Sequence, residues 1–133
     1  MQAEEYIQNL KEVFSEREDI ELALIYGSLA DHKDNARFKK DSDIDIGVIS
    51  KTTSADVYEI LKSIDLDRKI DIVDLQNINP TLGMQIIKNH QILVIQNEQI
   101  WDKWVIKTLS MYNDLQIENK TLVEDLGKYS PLD

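Results

Sequence analysis

Near the start of the chain Tyr6, Ile7, Leu10, Val13 and Phe14 recur at helical spacing and predict an amphipathic helix over residues 3–17. Leu22-Ala23-Leu24-Ile25-Tyr26 is apolar on both faces and stops at Gly27-Ser28, the pattern of a buried strand entering a tight turn. Residues 29–42 are polar, mixed in charge and without a clear period. Alternation returns from Asp43 to Ile49, with Ile44, Ile46 and Val48 on one face and Asp43, Asp45, Gly47 and Ile49 on the other. Val57, Ile60, Leu61 and Ile64 mark a helix. Lys69 to Leu75 reads as a third strand, with Asp71 and Val73 on one face and Ile70, Ile72 and Asp74 on the other. Pro80 opens a helix running to about Asn89, and Ile92 to Ile95 form a fourth strand. Trp101, Trp104, Val105, Thr108, Leu109, Tyr112 and Leu115 trace a long helical stripe, and a separate short helix is predicted over 119–127. Strands alternating with helices in so short a chain predict an α/β (α+β) fold, a small mixed sheet of about four strands flanked by helices. No repeat or boundary divides it, so one domain over 1–133 is expected.

Composition narrows the function. With 42% hydrophobic residues the chain can bury a core, and with no cysteine it has neither disulfides, thiolate metal sites nor a cysteine nucleophile. The longest apolar run, Leu22 to Tyr26, is far short of the roughly twenty residues that span a bilayer. The first residues, Met1-Gln2-Ala3-Glu4-Glu5, are acidic where a signal peptide is basic. A cytoplasmic protein without membrane contact is expected. Fifteen basic against twenty-five acidic residues leave a net charge of −10. That field repels phosphate backbones, weighs against direct nucleic-acid binding and suits a basic partner protein. A small phosphorylated ligand would need a local basic pocket or a bound metal.

Asp43-Ile44-Asp45 is the first chemical candidate. Acid-x-acid pairs occur five times in the chain, against about 4.6 expected by chance, so the doublet alone carries nothing. Its setting carries more, because Asp is depleted in strands and these two occupy alternate positions of an apolar-backed one. They share a face about 6.5–7 Å apart, a spacing from which carboxylates converge on metals about 3.5–4 Å apart. Asp71 interrupts the next strand in the same manner. Three acids on one face repel one another unless a cation sits among them; otherwise the set is a solvated sheet face. Gly27 lets the backbone turn and approach a ligand closely, and Ser28 beside a helix N-terminus can donate its N–H and hydroxyl to a phosphate; alone, the pair is an ordinary turn. Lys33, Arg37, Lys39 and Lys40 concentrate basic charge between Ser28 and Asp43, either steering a polyphosphate or an acidic surface, or forming a solvated loop with Asp31, Asp34 and Asp41. His32 and His90 are too few and too far apart for zinc. Asp65-Leu66-Asp67 reads as a surface turn, and Trp101, Trp104 and Tyr112 as packing rather than base stacking.

The ordered set of a buried strand, Gly27-Ser28, a spacer, Asp43-x-Asp45 in a strand and then Asp71 resembles the nucleotidyltransferase superfamily of the DNA polymerase β type. Within it, the chain looks like the minimal nucleotidyltransferases (MNT) that act as antitoxins beside HEPN-domain RNase toxins. The resemblance runs from Ile20 to about Ile95, including Ser42-Asp43-Ile44-Asp45-Ile46-Gly47-Val48 and Arg68-Lys69-Ile70-Asp71-Ile72-Val73. It departs from the antitoxin group in its spacer, fourteen residues from Leu29 to Ser42. Extra loop length costs only about 0.6 kcal/mol per doubling. The resemblance implies that Gly27 and Ser28 hold the nucleotide's phosphates, with Arg37, Lys39 and Lys40 as candidates to assist. It implies that Asp43, Asp45 and Asp71 bind two Mg²⁺ ions and that Asp71 helps deprotonate the attacking hydroxyl. The implied reaction is transfer of AMP from ATP to a tyrosine hydroxyl of a HEPN toxin. Transfer to a small hydroxyl compound, and neutralisation of a partner by contact alone, are the competing expectations.

Overall fold

The computed structural model describes residues 2–31, 38, 39, 41–64 and 66–128. A buried stripe of Tyr6, Ile7, Leu10 and Phe14 drives the first helix, α1 (Ala3–Ser15), whose first turn places Glu4 and Glu5 at the positive end of the helix dipole. The strands are β1 (Ile20–Tyr26), β2 (Ile44–Ser50), β3 (Ile70–Asp74) and β4 (His90–Ile95). Helix α2 (Ser54–Leu61) is capped by Thr53, whose hydroxyl accepts from the Asp56 N–H at 3.2 Å. Helix α3 (Pro80–Lys88) is capped by Asn79, which accepts from the Leu82 N–H at 2.8 Å, and it carries Pro80 in its first turn.

The predicted mixed four-strand sheet with flanking helices is what forms. Its strand order is β3-β2-β1-β4; β1 runs antiparallel to β2 and β4, and β2 runs parallel to β3 through the α2 crossover. One face is closed by α1 and α2, with Phe14, Ile20, Ala23, Ile25, Ile46 and Val57 in its core. The other is closed by α3 and the last helix, α4 (Glu98–Lys128), over Leu22, Leu24, Ile49, Leu75, Ile86 and Trp104. Two bulges set which residues face which layer. Between Ile20 and Leu22 the β1–β2 register shifts by one, so Ile20 and Leu22 pack on opposite faces despite their even spacing. A second shift, between Ala23 and Leu24, adjusts β1 against β4.

The largest departure from expectation is at the C-terminal end. Instead of a stripe followed by a separate helix over 119–127, one 31-residue helix, α4, runs from Glu98 to Lys128. No Gly or Pro interrupts residues 98–126, so the weaker apolar pattern after Leu115 stops the burial, not the helix. The first half packs closely on α3, where a Cβ on Gly83 would lie 2.5 Å from Thr108 Cγ2. Ile117, Leu122, Val123 and Leu126 in the second half are exposed. Among the described residues no helix is long and apolar enough to cross a membrane.

Candidate active site

The antiparallel and parallel pairings gather the C-terminal end of β1 and the starts of β2, β3 and β4 at one end of the sheet. There the registers align His90 with Tyr26, Tyr26 with Asp45, and Asp45 with Asp71. Residues directly opposite across neighbouring strands share a face, with strands about 4.8 Å apart. Tyr26, Asp45 and Asp71 therefore form one row across three strands, on the side of the sheet covered by α3 and α4. Asp43 lies just before β2 and is exposed, as is Asp71, while Asp45 is half-buried.

Gly27 closes β1 with φ +70°, in the left-handed region, and a Cβ there would stand 2.6 Å from Asp45 Oδ2. Both facts require glycine: the backbone conformation excludes an ordinary side chain, and the Asp45 carboxylate occupies the space a Cβ would need. The turn it begins is tied down on both sides. The Gly27 carbonyl accepts from the Asp31 N–H at 3.2 Å and from Asn89 Nδ2 at 3.2 Å. Gln91 Nε2 donates to the Ala30 carbonyl at 3.2 Å, and Leu29 is fully buried. Ser28 thus sits on a fixed turn that begins beside the Asp45 carboxylate. The bond from Asp31 to Gly27 closes a single helical turn, rather than the start of a longer described helix that would strengthen an anion site at Ser28.

The electrostatics follow from this crowding. Partial burial raises the Asp45 carboxyl above the usual carboxylate range, and the charges of Asp71 and Asp43 raise it further. The Tyr26 phenol is pushed up to about 12, mainly by burial and then by Asp45 and Asp71. Each group is unfavourable to its neighbours' negative charge, the tension that a bound cation relieves. Three carboxylates offer hard oxygen donors of the kind Mg²⁺ prefers. Among the described residues, however, no three acids or imidazoles are closed to metal-binding distance. The three carboxylates are suitable donors by their chemistry, and to hold an ion their side chains would have to draw together.

Sequence reasoning assigned no role to Arg68. Its Nη1 donates to the Lys39 carbonyl at 2.6 Å and the Ser42 carbonyl at 3.1 Å, and its Nε donates to the Tyr6 hydroxyl at 3.2 Å. The guanidinium carbon lies 4.0 Å from the Phe38 ring centroid and 5.2 Å from that of Tyr6, each stack worth about 0.5–2 kcal/mol. The Tyr6 hydroxyl in turn donates to Asp67, so Asp67 is a bonded partner of α1, while Asp65 lies outside the described residues. An open cavity of about 600 Å³ lies here, lined by Asp41, Ser42, Asp43, Asp67, Arg68 and Lys69. Lys39 is exposed, with its main chain held by Arg68 and by the Ser42 hydroxyl. Arg37 and Lys40, with Lys33 and His32, lie outside the described residues. His90 is engaged structurally: its Nδ1 meets the Ile86 carbonyl at 2.9 Å and its ring packs 4.5 Å from Trp101. Trp104 is buried, and its Nε1 donates to the Leu75 carbonyl at 2.7 Å.

The chain is similar to protein adenylyltransferase MntA of Shewanella oneidensis, at 27% identity over 117 residues, covering 80% of this chain and 76% of that protein. It superposes on a crystal structure of a toxin–antitoxin with AMP-PNP at a TM-score of 0.70 and 23% identity, covering 90% of this chain and 97% of the other. It also matches a chain of a tri-AMPylated Shewanella oneidensis HEPN toxin in complex with MNT antitoxin, with TM-score 0.65, 21% identity, and 93% and 98% covered. These structural likenesses establish the common fold. The family described as polymerase beta, nucleotidyltransferase, matches residues 8–99, which hold the whole row of acids and the glycine turn, and the chain belongs to it.

Proposed function

We propose that this protein is an antitoxin adenylyltransferase that moves AMP from ATP onto a hydroxyl, a tyrosine, of a HEPN RNase toxin. The observation that carries the chemistry is the row of Tyr26, Asp45 and Asp71 with Gly27 packed against the Asp45 carboxylate. The likeness to an MntA adenylyltransferase supports the donor and the acceptor class. Asp43, Asp45 and Asp71 would hold Mg²⁺, which when bound neutralises the triphosphate and lowers the pKa of an incoming hydroxyl. Ser28 presents an N–H and a hydroxyl that, among the described residues, nothing else engages and that can donate to phosphate oxygens. In the transfer, a bond forms between the acceptor oxygen and the α-phosphorus while the bond from that phosphorus to the β-phosphate oxygen breaks. Pyrophosphate leaves, and the acceptor's proton passes to Asp71, exposed at the rim of the row. Tyr26, un-ionised until about pH 12, adds no charge to this acidic site.

The test is co-expression with a HEPN RNase toxin, followed by mass spectrometry of the partner. The expected result is a toxin heavier by whole AMP increments, with the modification on tyrosine and absent when Asp43→Asn replaces the wild type. A neutralised toxin of unchanged mass would overturn the enzymatic reading and leave binding alone.

A further inference from the structure

We infer that Arg68 is a positioning residue that aligns Asp43 with Asp71 for metal capture, an inference that rests on the metal reading above. Asp43 lies outside the β2 ladder, on the segment that enters the strand. A carboxylate there would wander with its loop, whereas a metal site holds its ligands to within about 0.5 Å. The structure brackets it instead. One residue before Asp43, the Ser42 carbonyl accepts from Arg68 Nη1, and one residue after it, the Ile44 N–H donates to the Lys69 carbonyl at 2.9 Å. Arg68 and Lys69 lead directly into Asp71, so both anchors fix the first acid to the backbone that carries the third. The same guanidinium holds the Lys39 carbonyl and stacks on Phe38, which fastens the end of the spacer. On its far side it bonds the Tyr6 hydroxyl, whose ring is 1% exposed in the α1 core. The loop is therefore referenced to the rigid part of the fold rather than to solvent. Lysine cannot substitute: its ammonium lacks the planar fork that reaches two carbonyls and a phenol while lying flat on a ring.

The experiment titrates Mn²⁺ into wild type, Arg68→Lys, Arg68→Met and Phe38→Leu with α,β-methylene ATP present, reading bound ion by electron paramagnetic resonance. Amide hydrogen exchange of residues 41–44 is measured in parallel without metal or nucleotide. Both Arg68 variants are expected to bind Mn²⁺ about tenfold more weakly and to exchange faster at 41–44, with α1 and β1 exchange unchanged. Phe38→Leu, which leaves the arginine in place, is expected to fall between them and wild type. Ile86→Val, a variant loosened in the core beneath α3 and α4 and apart from the Tyr6 anchor of Arg68, is expected to bind Mn²⁺ as wild type does. Wild-type affinity and exchange in Arg68→Met would overturn the inference, as would equal weakening in Ile86→Val, which would trace the effect to general loosening. A wild-type protein that takes up no Mn²⁺ would overturn the metal reading itself.

Discussion

The two faces of the sheet are built to different rules. Beneath α1 and α2 the strands present aliphatic side chains throughout, and Leu10, Phe14, Ile20, Ala23, Ile25, Ile44 and Ile46 are fully buried. Beneath α3 and α4 the same sheet is apolar at Leu22, Leu24 and Ile49, but at the end of β1 and the starts of β2 and β3 it carries Tyr26, Asp45 and Asp71. The first face carries stability. The second gives up apolar burial over one row to hold like charges that disfavour one another. Such a face persists where chemistry requires it.

The sharpest way to break this comparison is to remove one acid. Asp43→Asn is expected to lower AMP transfer at least about a thousandfold, about 4 kcal/mol of barrier, while unfolding by urea stays within experimental error of wild type. Transfer assays with α-labelled ATP check the first part and equilibrium denaturation the second. The reverse holds on the filled face. Phe14→Ala is expected to cost about 3–5 kcal/mol of stability, visible as a lower urea midpoint, while the molecules that remain folded transfer AMP at the wild-type rate.

Gly27 joins the two rules, because its conformation belongs to the fold and its empty Cβ position to the site. Gly27→Ala is expected to destabilise by about 1–2 kcal/mol for the left-handed backbone and to reduce transfer further by displacing the Asp45 carboxylate. If activity falls only in step with the folded fraction, the close approach at Gly27 has no catalytic importance.

The elements themselves were legible because each obeys a single local period: Leu10 and Phe14 on one helical stripe, Ile44, Ile46 and Val48 on one strand face. Pro80 also announced the start of α3. The α4 prediction failed where apolar period and helix length part company, beyond Leu115. In the site, the alternation of Asp43 and Asp45 was visible, and so was the interruption at Asp71. What no local pattern contains is the pairing between strands. Tyr26 joins the row only through a register set by a bulge near Glu21, and two different strands must be aligned before Tyr26, Asp45 and Asp71 stand together. Arg68 was hidden for a related reason. Its partners Tyr6, Phe38, Lys39 and Ser42 are 26 to 62 residues away, and an arginine beside an acid in sequence looks like any surface charge.

The smallest expected effect bears most directly on the contrast between the faces. Asp45 is held above its ordinary range by burial and by Asp71 and Asp43, so its carboxylate is less at ease in the folded chain than in the unfolded one. Below the ordinary value of 3.8 it is protonated in both states and costs nothing on this account. As the pH rises through its raised folded value, the unfolded chain releases the proton more readily, and the fold loses stability relative to acid conditions. Asp45→Asn abolishes that loss. The variant is therefore expected to be inactive yet to melt higher than wild type at pH 7, with the advantage vanishing below pH 3.8. Adding Mg²⁺ with α,β-methylene ATP at pH 7 is expected to raise the wild-type melting temperature and to leave the variant nearly unmoved, narrowing the gap. An Asp45→Asn protein that melts lower than wild type at neutral pH would mean that this carboxylate supports the fold, and the division of labour between the two faces would fail at its central residue.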